Sequence, residues 1–294
     1  MKIWVPENTK QQVGGGWSFL RNFKKYAKRA GIAFTDVLAE ADAMLVSGVT
    51  LVEPSALYEA KRAGVPIVFR VDNVPRKSRN SRSTPHQRMK EYADLADVVV
   101  YQSEWAKKYC SPLSGDGTII YNGTDTDFFF SKEKPKVERW LWAYHSRGNE
   151  MKGFWEAHLR FQLHARENPN AEFWFVGNFG SETLTLREAN FDFWNGEKFE
   201  HINPVAEPEE MADIMRQCTH LVYPAVADAC PNLVVEAMLC GLEVVGYPSK
   251  ELSATEELVQ LQKEGYDFSA QRMVEEYRGA FELLKSEKDL VVEN

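Results

Sequence analysis

The sequence predicts an α/β protein built from two parallel-sheet domains, and three observations predict it. Short apolar runs alternate with helix-spaced segments in both halves, a polar break separates the halves, and 294 residues suffice for two cores. In the first half the apolar runs are KIWVP, DAMLVSG, PIVFRVD, DVVVYQS and TIIYNG. Between them lie the helical segments SFLRNFKKYAKRAG, SALYEAKRAG, HQRMKEYADLA and EWAKKYC. The second half repeats the alternation with RWLWAYHS, KGFWEAHLRFQLHAREN, AEFWFVGN, PEEMADIMRQC, THLVYPA, PNLVVEAMLCG and LEVVGYP. Such alternation is that of strands wrapped by crossover helices, so each half is expected to be Rossmann-like.

The break is TDTDFFFSKEKPKVER, charged and without apolar period, which suits a linker near 128–138. The expected divisions are a first domain over 1–132, a second over 133–270, and a terminal helix over 271–294. The tail from YDFSAQRM carries Phe268, Met273, Tyr277, Phe281 and Leu284 at helical spacing, so it is expected to be a terminal helix that must dock somewhere and can cross back to the first domain. A cleft is expected between the domains.

Charge divides with the chain. Residues 1–130 hold 18 Lys and Arg against 14 Asp and Glu, while 131–294 hold 17 against 29, so a net of −8 conceals a basic half and an acidic half. Apolar runs fall short of the ~20 residues that span a bilayer, and no apolar signal follows Met1. A soluble, cytoplasmic protein without a transmembrane segment is expected. Cysteines 110, 218, 230 and 240 show no CxxC pairing and read as buried thiols rather than metal ligands.

The stretch YPAVADACPNLVVEAMLCGLEVVGYPS places two carboxylates, Asp228 and Glu236, in an otherwise apolar and small-residue run. Pro231 suits an early helical position and Gly241 a helix stop, so Asp228 falls just ahead of a helix N-terminus, which attracts anions. One carboxylate before the helix and another inside it can accept hydrogen bonds from hydroxyls on either side of a diphosphate, the shape of a nucleotide sugar. The structural alternative is an N-capping Asp228 and a solvated Glu236.

The Asp-x7-Glu spacing, the intervening CPN and the following EAMLCGLEVV resemble the donor motif of retaining GT-B glycosyltransferases, family 4 (glycosyl transferases group 1). The family usually has Glu first, and a proline where Glu243 stands here. The resemblance implies two Rossmann-like domains facing each other across a cleft. It further implies that Asp228 holds sugar hydroxyls, Glu236 the ribose, and the backbone of Pro231, Asn232 and Leu233 the sugar or diphosphate. SRGNEMKG supplies Arg147 and Lys152, similar to the cations that neutralise the donor diphosphate, and Gly14, Gly15 and Gly16 resemble its glycine loop. The base is expected near Gly177, Asn178 and Val205. PIVFRVDN, VVVYQSEWAKKY and IIYNGTDTDFF resemble three further segments, the last making DTD at 125–127 part of an interdomain signature rather than a metal site. The implied chemistry is front-face and retaining, with a UDP- or GDP-sugar donor, no resident cofactor and no obligatory metal. The leaving diphosphate takes the acceptor's proton. Of the scattered histidines, His86 and His220 read as structural, and His145, beside Arg147, stays a candidate.

The acceptor is marked by one segment, RVDNVPRKSRNSRSTPHQRMK, with Arg70, Arg76, Lys77, Arg79, Arg82, Arg88 and Lys90 against the single acid Asp72. It reads either as a solvated loop or as a clamp for a polyanion. Asp72 and Asn73, ending the third strand, are expected near the acceptor hydroxyl, with Asp72 catalytic and Arg70, Asn73, Arg76, Lys77, Arg79 and Arg82 binding the acceptor. A basic helix with Arg21, Lys24, Lys25, Lys28 and Arg29 resembles the family's membrane-touching helix, but the 70–90 cluster has no Trp, Phe or Leu to enter a bilayer, which favours nucleic acid over an anionic membrane. The chain is shorter than most relatives, like viral members that glycosylate hydroxymethylated DNA bases. By that analogy the preferred acceptor is hydroxymethylcytosine or a similar base in phage-type DNA. The alternatives are a builder of surface polysaccharide or glycolipid, and a non-catalytic nucleic-acid-binding module.

Overall fold

The computed structural model describes residues 1–6, 14–74, 84–146, 150–178 and 199–292. The chain divides into one unit of Met1–Thr124 with Asp267–Asn294 and a second of Asp125–Tyr266. The breaks read from sequence, at 132 and 270, fall a few residues later.

In the first unit the strands are β1 (Lys2–Trp4), β2 (Ala33–Thr35), β3 (Ala43–Val46), β4 (Ile67–Val71), β5 (Val98–Tyr101) and β6 (Thr118–Ile119). They pair in parallel in the order β2-β1-β3-β4-β5-β6. Helices α1 (Gly15–Ala27), α2 (Pro54–Arg62), α3 (Thr84–Leu95) and α4 (Glu104–Ser114) connect them. Every residue of β3 and β4 is buried, as expected of a parallel sheet covered on both faces. Pro54 opens α2, where its missing N–H costs nothing, and Ser103 caps α4 by accepting the Ala106 N–H at 2.9 Å. The terminal helix Ala270–Val292 belongs to this unit: Tyr277 packs against Phe19 and Phe23 of α1, at 5.5 and 5.6 Å between ring centroids, and Met273, Phe281 and Leu284 join the same core.

The second unit has β7 (Arg139–Ser146), β8 (Glu172–Asn178), β9 (Phe199–Ile202), β10 (His220–Val222) and β11 (Glu243–Val245), parallel in the order β11-β10-β7-β8-β9. Its helices are α5 (Phe154–Glu167), α6 (Pro208–Met215), α7 (Asn232–Leu239) and α8 (Thr255–Lys263). Trp140, Trp142, Phe154, Phe161, Phe173 and Phe175 form an aromatic core between α5 and the sheet. Three elements exceed the sequence expectation: β2, β9 and α8. None has a continuous apolar signal, for β2 and β9 contain no fully buried residue and α8 buries only Thr255 and Leu258.

One core residue carries a pH consequence. His158 of α5 is 9% exposed, lies 6.3 Å from Phe154 ring to ring, and is pushed down to about 4 by burial. Burial also lowers His220, where Glu243 and Glu138 oppose the shift. A histidine neutral when folded but titrating near ~6.5 when unfolded leaves stability intact above that pH and drains it below. Between pH 7 and 5 the melting temperature is therefore expected to fall, His158 alone contributing about 2 kcal/mol at pH 5. His158→Phe should flatten that slope in thermal melts, and an unchanged slope would refute the assignment.

Candidate functional site

Each sheet reverses its strand order once, and in open parallel sheets ligands are received beyond the carboxyl ends of the strands at that reversal. In the second unit the reversal lies between β7 and β10. The chain leaving β7 reaches Lys152, and the chain leaving β10 passes Tyr223 to Asp228. There Lys152 Nζ donates to the Tyr223 hydroxyl at 2.8 Å and to Asp228 Oδ2, while the Tyr223 hydroxyl donates to the same Oδ2 at 2.7 Å. The ammonium also stands 5.3 Å from the ring centroids of Tyr144 and Tyr223.

Backbone contacts fix both arms. The Trp142 indole N–H donates to Lys152 O at 3.0 Å, the Val226 N–H to Met151 O at 3.0 Å, and the Ala254 N–H to Asp228 O at 3.0 Å. Ala227 is held at φ 54°, a region a non-glycine residue occupies only when its surroundings impose it. Burial by itself would lower the Lys152 pKa, but Asp228 and Tyr223 outweigh it and hold the ammonium above the ordinary lysine value. Lys152 is a standing cation. Burial, reinforced by Asp228, pushes the Tyr223 phenol upward, so it stays protonated.

Pro231 stands immediately before the first residue of α7 rather than inside it, and Asp228, three residues further upstream, is engaged with Lys152 and Tyr223. Asn232, Leu233 and Glu236 are half-buried, Asn232 and Glu236 sharing one face by their spacing of four. At the end of β8, Gly177 has φ 153°, and a Cβ there would stand 2.0 Å from Tyr144 O, so only glycine closes this corner. His201, stacked on Phe175 at 5.2 Å, reaches Gly177 O at 2.7 Å with Nε2. Asn178 is exposed and Val205 half-buried. Arg147 and the side chains of His86 and His145 lie outside the described residues.

In the first unit the order reverses between β1 and β3. Gly14, at φ 127°, precedes α1, which begins with Gly15 and Gly16. Asp72 follows β4, the fourth strand rather than the third, because β2 intervenes in the chain. Its Oδ1 accepts the Val49 N–H at 3.2 Å and the Asn73 amide at 2.8 Å. A Cβ on Gly48 would meet its carboxylate at 2.4 Å, so the glycine at 48 makes the recess that Asp72 occupies, while one on Gly16 would meet Leu51 Cδ1 at 2.7 Å. Burial raises its pKa against the opposing charge of Arg70.

Arg70 itself corrects the sequence expectation. Expected to touch an acceptor, it is 1% exposed, donates to Ser47 O at 2.9 Å, Gln102 Oε1 at 2.6 Å and Asn122 Oδ1 at 3.0 Å, and lies 4.2 Å over the Phe19 ring. A charge in a strand covered on both faces has no route to solvent, so it satisfies carbonyls and amides at neighbouring strand ends instead. Arg88 pairs with Glu53 at 2.7 Å and Lys90 with Asp94 at 2.8 Å. Arg76, Lys77, Arg79 and Arg82 lie outside the described residues.

Asp125 of the DTD segment is buried and accepts the Asp127 N–H at 3.1 Å, a local turn. Among the described residues no three His, Cys, Asp or Glu gather as metal ligands, and no helix is long and apolar enough to cross a membrane. All four cysteines are buried without a disulfide, and burial pushes Cys110 and Cys218 up to about 12 and Cys240 up to about 11. Tyr144, Tyr223 and His201 are site residues that sequence reasoning missed. Tyr223 was legible only as an aromatic ending a strand ahead of a proline.

Residues 146–284 match the family model for glycosyl transferases group 1. The GT-B fold of the group 1 enzymes is met again among solved structures. Anabaena Alr3699/HepE in complex with UDP and glucose superposes with a TM-score of 0.60 at 14% identity, over 94% of this chain and 93% of that one. The pneumococcal O-GlcNAc transferase GtfA in complex with UDP and GlcNAc gives 0.59 at 14% identity, over 82% of this chain and 56% of that one. A putative UDP-N-acetylglucosamine 2-epimerase from Listeria monocytogenes gives 0.56 at 14% identity, over 97% and 88%. At such identities the likeness is one of fold. No curated protein sequence matches the chain.

Proposed function

We propose that the protein is a retaining glycosyltransferase that moves a sugar from a nucleoside diphosphate donor to a hydroxyl acceptor. The observation that carries this reading is the Lys152–Tyr223–Asp228 cluster at the strand-order reversal of the second sheet, within the region that matches glycosyl transferases group 1. A departing diphosphate needs a fixed positive charge, and Lys152 supplies one without a proton to lose. Arg147 adds a second, and the N-terminus of α7, with the backbone of Pro231, Asn232 and Leu233, supplies N–H groups and the positive end of its dipole. In this reading Asp228 and Glu236 hold sugar and ribose hydroxyls, Gly177, Asn178 and Val205 flank the base, and Gly14, Gly15 and Gly16 face the diphosphate. Asp72, with Asn73 orienting it, lies toward the acceptor hydroxyl. Retention follows from the family resemblance, the leaving diphosphate taking the acceptor's proton on the face it departs from.

HepE and GtfA, crystallised with UDP, make UDP-sugars the first donors to try and GDP-sugars the second. A ligand that binds only the native state raises its melting temperature, by roughly 5 °C or more at a hundredfold excess over Kd. UDP or GDP is expected to produce that rise in a thermal-shift screen. No shift with any nucleoside diphosphate or its sugars would sink the reading.

For the acceptor, a hydroxymethylated base in phage-type DNA rests on Arg76, Lys77, Arg79 and Arg82. Such a base must be flipped out or presented at a groove edge to reach the donor. A second reading, transfer to a surface polysaccharide or glycolipid, is favoured by the burial of Arg70 and the pairing of Arg88 with Glu53, which withdraw two of the seven cations from a polyanion and make Arg76, Lys77, Arg79 and Arg82 the four to test. Changing those four to Gln is expected to lower the slope of log affinity for DNA against log salt by roughly 3 to 4, with donor binding intact. Equal transfer to a neutral oligosaccharide by wild type and this variant would select the second reading.

A further inference from the structure

We infer that Tyr223 is a positioning residue of the donor site, its buried hydroxyl setting where the Lys152 ammonium stands and how much of it a diphosphate can claim. The inference rests on the donor reading above. Tyr223 lies outside the Asp-x7-Glu motif, five residues ahead of it at the end of β10, and is 3% exposed. A phenol so deeply buried has to find partners, and it finds two with opposite demands: it accepts from Lys152 at 2.8 Å and donates to Asp228 Oδ2 at 2.7 Å.

The consequence follows from counting donors. An ammonium has three N–H groups; among the described residues Tyr223 and Asp228 take one each, which leaves the third for a phosphate oxygen. One oxygen of Asp228 accepts from both Lys152 and Tyr223. Removing the hydroxyl takes one competing donor from that oxygen, tightens its ion pair with Lys152, and draws the ammonium away from an incoming diphosphate. Tyr144, whose ring centroid is 5.3 Å from the same ammonium, offers only its face and does not replace the hydroxyl.

Tyr223→Phe keeps the ring and deletes the hydroxyl. Calorimetric titration with UDP, UMP, GDP and GMP is expected to show about a tenfold rise in Kd for the preferred diphosphate and no change for the matching monophosphate, which lacks the phosphate that Lys152 would hold. In a Lys152→Ala background the same substitution should cause no further loss, because it acts through the lysine. Unchanged diphosphate affinity, equal losses for diphosphate and monophosphate, or losses that add in the double variant would each overturn the inference and leave the donor reading standing. A wild type that binds neither UDP nor GDP overturns both. Should Tyr223→Phe fail to fold, wild-type protein labelled with ζ-13C tyrosine decides: a ζ-carbon resonance that moves with the diphosphate and not the monophosphate supports the role, and none moving refutes it.

Discussion

Lys152→Met is expected to lower kcat/KM for sugar transfer by about 1000-fold or more, the value of a preorganised charge facing a group that departs as an anion. The lysine is set in place by four side chains: Trp142 holds its carbonyl, Tyr144 and Tyr223 flank the ammonium, and Asp228 pairs with it. The pair is largely withdrawn from water, with side-chain exposures of 20% for Lys152 and 16% for Asp228. Removing the cation therefore strands a carboxylate, at a cost to folding of about 3 kcal/mol, so melting temperature and activity should fall together. The two effects separate in Lys152→Met with Asp228→Leu, where a buried charge is replaced by apolar volume. Stability should recover in part and activity should not. Steady-state assays with thermal melts on the three proteins check this, and a Lys152→Met enzyme retaining a tenth of wild-type activity would remove Lys152 from the donor site.

Arg70→Met is expected to lower the melting temperature of the first unit by roughly 10 °C or more while leaving the salt dependence of polyanion binding unchanged. Three buried acceptors, on Ser47, Gln102 and Asn122, lose their donor at once. At about 1 to 3 kcal/mol for each unsatisfied group, softened by the remaining Asn122 to Gln102 bond at 3.0 Å, the total is about 3 to 5 kcal/mol. These residues lie at or just beyond the carboxyl ends of β3, β5 and β6, and Phe19 under the guanidinium belongs to α1, so one side chain ties three strand ends to a helix. Arg70 also opposes the upward push of burial on Asp72, so its loss should raise that carboxyl further. Thermal melts and DNA-binding titrations over a salt series measure both arms. A stable variant with weakened polyanion binding would return Arg70 to the acceptor role expected from sequence.

Local patterning was enough to read two parallel sheets, because strands buried on both faces, such as Ala43–Val46 and Ile67–Val71, can only be written as continuous apolar runs. It also gave the helix Asn232–Leu239, though with Pro231 inside it rather than just ahead of it, and so the placing of Asn232 and Glu236 on one face, since helical period is a property of neighbours in the chain. Strands Ala33–Thr35 and Phe199–Ile202 escaped it because they lie at sheet edges with no fully buried residue, so their signal resides in partners rather than in themselves. Arg70 escaped it too: sequence shows a charge in a basic run, whereas strand pairing turns that charge inward. The strand order, the reversal that brings Lys152 to Tyr223 and Asp228, and the recess that Gly48 leaves for Asp72 were decided by tertiary structure alone. Lys152 and Asp228 stand 76 residues apart in the chain, and sequence periodicity reports which side of an element is buried, not which distant side chain meets it there.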